Sequence, residues 1–85
     1  MNHNTLIKNY HGSIESLVED IGNLRYDALA DFLHLLSEKI QSDGEKDEAR
    51  KRHQLASALF ECSKKLEESK MAIDVAWKIS EPYML

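Results

Sequence analysis

Asp31 and His34 stand three residues apart in a stretch written with the helix period, so one helix turn carries both on the same side. This is the acid-x-x-His spacing by which helices of a bundle present two ligands to a metal, with further glutamates projecting from neighbouring helices. Asp20, Asp27 and Glu38 extend the same flank. A transition metal would need deprotonated acids and a neutral His34. The acid in the pair is the shorter Asp, and no glutamate falls in the expected core stripe of the second helix. The expected reading is a solvated acidic flank with no metal and no cofactor.

The second cluster is basic. Arg50-Lys51-Arg52-His53 runs consecutively, and four consecutive helical residues point around the whole circumference. A looser stripe of Lys46, Arg50, His53 and Lys64, continued by Lys78, could follow phosphates from the outer face of the last helix. No aromatic platform for RNA and no helix-turn-helix accompanies it. Fifteen acids against eleven bases give a net charge of −4. Nucleic-acid binding is therefore the lesser reading, and a solvated face is the expected one.

Enzyme chemistry has no foothold in the motifs. There is no Gly-rich phosphate loop, no His-Glu-x-x-His, and no nucleophile in a suggestive local setting. Cys62 is the single cysteine, so neither an intrachain disulfide nor a thiolate cluster can form. It is expected as a small core filler. No run approaches the ~20 apolar residues of a membrane span. The first twelve residues lack a signal-like apolar run. The cytoplasm is the expected compartment.

The elements that must position these residues are helices. Residues 1–12 read as a flexible arm that could gain a turn by docking Leu6 and Ile7. Residues 13–85 read as one helical domain. Ser13 is an expected N-cap, with Glu15 in the first turn. At 100° per residue, the apolar residues from Ile14 to Ile40 fall in one arc about 180° wide. Gly22-Asn23 interrupts that arc without shifting its phase, so a continuous or kinked helix over 13–42 is favoured over a break into 13–21 and 24–42. Arg25 fits poorly in the arc and would need a facing acid or a real break. Ser42-Asp43-Gly44-Glu45 is the strongest turn signal, a capping box joined to a helix-ending glycine. A second helix is expected over Glu45–Ser80, stopped by Pro82. Its core stripe reads Leu55, Leu59, Cys62, Leu66, Ser69, Ile73, Ala76 or Trp77, and Ser80. Its last third, Met71 to Ile79, is apolar nearly all round and is expected to be buried. Tyr83 and Met84 are expected to fold over Trp77, or else to form a short recognition tail.

The expected fold is all-α, a long antiparallel helical hairpin. With the turn at Ser42–Glu45, the charged start of the second helix would lie beside Leu33 to Ser42. Ala28, Leu29, Phe32, Leu33, Leu35, Leu36 and Ile40 would then need another cover. A chain of 85 residues buries only about 60% of its unfolded surface and is marginal alone. A homodimeric four-helix bundle is the expected remedy. A break at Gly22 would instead let the first helix fold back into a three-helix monomer. The function expected from all this is a small non-enzymatic interaction or assembly module, regulatory through a protein partner. The alternatives are a nucleic-acid-associated regulator and a weak metal-binding bundle.

Overall fold

The computed structural model describes residues 3–83, and among these all regular structure is helical. Three α-helices follow in order: α1 over Ile14–Gly22, α2 over Tyr26–Ala49 and α3 over His53–Ser80, with a 3-10 turn over Glu81–Tyr83. Helices α2 and α3 form a closely packed antiparallel hairpin, and α1 packs closely against neither.

Ser13 caps α1 as its type predicts, its hydroxyl accepting from the Ser16 amide at 3.1 Å. Helix α1 then ends at Gly22, and the Asn23 amide closes onto the Glu19 carbonyl. The favoured continuous helix over 13–42 is thus corrected: the chain breaks at Gly22-Asn23. Arg25 supplies the physical reason. It leaves the helical path, grips Asp27 with two nitrogens at 2.7 and 2.8 Å, and lies 5.2 Å over the Trp77 ring. A continuous helix would have aimed it into the apolar arc.

The turn at Ser42–Glu45 is also corrected. Helix α2 runs through Gly44 to Ala49, and the chain reverses at Arg50–Arg52. Gly44 serves by lacking a side chain. A Cβ there would meet the Phe60 ring at 2.6 and 2.8 Å. Ala30, Ser37 and Gly44, seven apart and all buried, form the α2 side of the seam. Ala56 and Ser63, again seven apart, form the α3 side. Small residues at heptad spacing let the two backbones approach. The Ser63 hydroxyl donates 2.9 Å to the Ser37 carbonyl across that gap.

The reversal itself is a Schellman motif without its usual glycine. The Arg52 amide bonds the Asp47 carbonyl at 2.9 Å, and the Lys51 amide bonds the Glu48 carbonyl at 3.0 Å. Lys51 takes the left-handed position, with φ 61°. Two acids at the end of α2 pair across the turn. Asp47, buried, meets Arg52 at 3.3 Å, and Glu48 meets His53 at 2.8 Å.

The α3 stripe is displaced by one residue over part of its length. Leu55, Leu59, Leu66 and Ile73 do turn partly inward, but Ser63 is buried where Cys62 was expected, and Cys62 and Ser69 are exposed. Met71, Val75 and Ile79 are exposed as well, because no further layer of this chain lies over them. Tyr83 is exposed rather than folded over Trp77, whose face Arg25 occupies, and Met84 lies outside the described residues. Leu6 and Ile7 stay exposed, while Tyr10 bonds Asp20 of α1 at 2.7 Å.

Two substitutions test the seam and the loop. Gly44→Ala is expected to lower hairpin stability by about 1 kcal/mol, because overpacking outweighs the better helix propensity of Ala. Trimming the ring with Phe60→Leu in the same chain should recover most of that loss. Lys51→Gly is expected to raise stability by about 0.5–1 kcal/mol, by removing the left-handed strain of a side-chain-bearing residue. Urea denaturation midpoints read both.

Candidate functional site

The densest polar constellation lies across the middle of the hairpin. His34 and Ser37 reach it from α2, one turn apart, and Glu67 reaches it from α3. Glu67 Oε1 accepts from the Ser37 hydroxyl at 2.6 Å and also meets His34 Nδ1 in a very short contact. His34 Nε2 lies 2.5 Å from Glu38 Oε1. The imidazole is therefore bracketed by two carboxylates. Both His34 and Glu67 are partly open to solvent.

The electrostatics follow from that geometry. The hydrogen bond and charge of Glu67, with a smaller contribution from Glu38, raise the pKa of His34 above its ordinary value, against the opposing effect of burial. The Ser37 hydroxyl and then His34 lower that of Glu67. The pair is a charge-assisted link between α2 and α3, held in register by the two serines.

The arrangement is poorly made for the two chemistries its residue types suggest. A metal would need one point within reach of all three ligands, but the carboxylates sit on opposite nitrogens of one ring. Among the described residues, no group of three His, Cys, Asp or Glu side chains is placed to hold a metal ion. Nucleophilic chemistry would need the serine hydroxyl on a base. Ser37 gives its proton to the same carboxylate oxygen that His34 contacts, so the histidine does not face it.

The remaining residues singled out by sequence scatter. Asp27 is engaged by Arg25. Asp20 is held by Tyr10. Asp31 is exposed on α2, and the only residue of the acidic flank that joins His34 is Glu38. Glu67 was missed because a glutamate within a helical stretch reads as a solvated position. The signal that could have found it is its place four residues after Ser63 on the small-residue stripe. Lys46 and Arg50 belong to the end of α2 and not to the last helix, whereas His53 and Lys64 belong to α3. His53 is bonded to Glu48. Lys64 stands three turns further along α3, so the four cations make no continuous stripe.

The grooves on the two sides of the seam differ in chemistry. One is polar and lined by Ser37, Glu38, Gln41, Glu45, Ser63 and Glu67. The other is a cleft of about 620 Å³ floored by Ile40, Leu55 and Leu59, with Lys39, Asp43, Lys46, Asp47 and Arg50 around it and His3 of the N-terminal segment against it. Of the residues expected to face a second chain, Ala28, Leu29, Leu33 and Ile40 are half-buried, while Phe32, Leu35 and Leu36 are exposed.

The ionisation of the His34–Glu67 link gives it a pH window. A raised histidine pKa stabilises the fold fully below about 6.5, the ordinary value, and that contribution fades as pH rises through the folded value above it. A lowered carboxyl pKa stabilises above about 4.5 and fades as pH falls through the folded value below it. The link is thus strongest between these two limits. The urea midpoint is expected to fall between pH 5.5 and pH 8.5, and His34→Gln is expected to flatten that fall. An equal fall in His34→Gln would exclude His34 as its source.

No family model matches this chain, and no curated protein and no solved structure is similar to it.

Proposed function

We propose that this protein is a small non-enzymatic helical assembly module that works as a homodimer, presenting a combined helical surface to a further protein. The observation that carries this reading is surface left uncovered. The chain exposes 6903 Å². A compact monomer of its length exposes roughly 5,200 Å². Its radius of gyration is 15.5 Å, against about 12 Å for a compact domain of that size. Some of the excess comes from the segment before α1. Large apolar side chains on the helices are also uncovered: Val18 is 64% exposed, Leu35 64% and Ile79 67%.

Apolar side chains in such numbers favour a protein occupant over a phosphate backbone. Burying one large aliphatic is worth about 1.5–3 kcal/mol. No charged helix start lies beside Leu33–Ser42, because that stretch faces the middle of α3; the exposed apolar surface is what favours a second chain. None of the helices, among the described residues, is long and apolar enough to cross a membrane. The proposed setting is the cytoplasm, where an exposed lone thiol such as that of Cys62 stays reduced. The nucleic-acid reading gains nothing specific from the scattered cations.

Sedimentation equilibrium at micromolar concentration is expected to return twice the 9.8 kDa chain mass. Leu36→Glu is expected to weaken association at least tenfold, since each 1.4 kcal/mol lost is about a factor of ten. A wild-type chain that remains monomeric would contradict the proposal.

A further inference from the structure

We infer that the second copy docks on the Ile40–Leu59 side of the hairpin with its helices reversed, so that the two Arg50–Arg52 loops lie at opposite ends of a four-helix assembly. This deepens the homodimer reading above and rests on it.

The choice of side comes from helix phase and from the grooves. With the seam residues Ser37 and Ser63 facing each other, Leu36 and Ile40 turn to the same side as Leu59 and Leu66. The apolar cleft lies on that side. The opposite side carries the His34–Glu67 link and its polar groove. A two-fold contact presents one patch to itself, so a mainly apolar patch suits it better than one lined by Glu38, Glu45 and Glu67.

The orientation comes from charge and from side-chain size. Residues 13–31, at the open end of the hairpin, carry five acids and one base, net −4. Residues 44–55, at the loop end, carry four bases and three acids, net +1. Reversed helices set each loop end beside the partner's acidic end. Helices running the same way would set the two acidic ends together, and like charges disfavour that. Reversal about an axis perpendicular to the helices also places α3 against the partner's α3. The α3 flank next to the apolar cleft carries Cys62, Ser69 and Ala76, seven apart, the first two exposed. Small residues at that spacing admit a close helix pair, as they do within the hairpin.

Spin labels on a single engineered cysteine decide the orientation. The variant is Ala49→Cys in a Cys62→Ser background; both native residues are exposed. With the two-fold axis between Leu36 and Leu66, Ala49 lies about fourteen residues from it, so reversed helices put the two labels about 40 Å apart. Helices running the same way put them within about 25 Å. A dimer with the long distance supports the inference. A dimer with the short distance overturns it and leaves the homodimer reading standing, whereas a monomer overturns both. The side is decided by two further changes in the same labelled chain. Ser69→Arg blocks the close approach of α3 to its partner and is expected to weaken the dimer at least tenfold. Val75→Arg, on the other flank of α3, is expected to leave it within twofold. The opposite pattern would overturn the choice of side, and retained helical circular dichroism in both variants shows that the hairpin itself persists.

Discussion

The close approach of α2 and α3 along a seam of small residues is the constraint on which the rest of this structure depends. Gly44 lies under the Phe60 ring with no room for a methyl group. Ser37 and Ser63 sit close enough for a hydroxyl to bond a carbonyl across the gap. That contact fixes how far α2 must extend before it turns, and hence places the reversal at Arg50–Arg52. It also fixes which residues flank the seam, so His34 meets Glu67 on one side while Ile40 and Leu59 line the cleft on the other. A seam of small residues buries little apolar area. The large aliphatics are displaced to its flanks, where a single chain covers them only in part.

Much of the fold could be read from residue types, because its causes are local. Ser13 caps α1 by hydrogen bonding to an amide three residues on. The α3 helix ends at Ser80, two residues before Pro82. Helical character follows from the period of the apolar residues. The turn was misplaced because glycine is informative in two ways: it tolerates left-handed backbone, and it lacks a Cβ. Gly44 is used for the second property, and the left-handed position falls to Lys51. The heptad spacing of Ala30, Ser37 and Gly44 against Ala56 and Ser63 was present in the sequence. Following large apolar residues instead displaced the expected stripe from Ser63 to Cys62.

The polar site was half legible for a related reason. His34 and Glu38 share a flank four residues apart, as helix geometry requires. Their partner Glu67 depends on the register between helices, which a turn misplaced by several residues cannot give. Once in place, the two serines and the His34–Glu67 pair act on register more than on chemistry. They are partly open to water, where ion pairs contribute little stability. A sliding seam would separate Ser63 from the Ser37 carbonyl and Glu67 from His34 together. The polar side thereby specifies the alignment that the small residues permit.

The seam is tested most directly by proton nuclear Overhauser spectroscopy on the wild-type protein, read at Gly44. The expected result is strong cross-peaks from the Gly44 α-protons to the Phe60 ring, with helical carbon shifts unbroken from Ser42 through Glu48. Absence of those cross-peaks, with Gly44 showing the shifts of a turn, would place the reversal at Ser42–Glu45 and contradict the account.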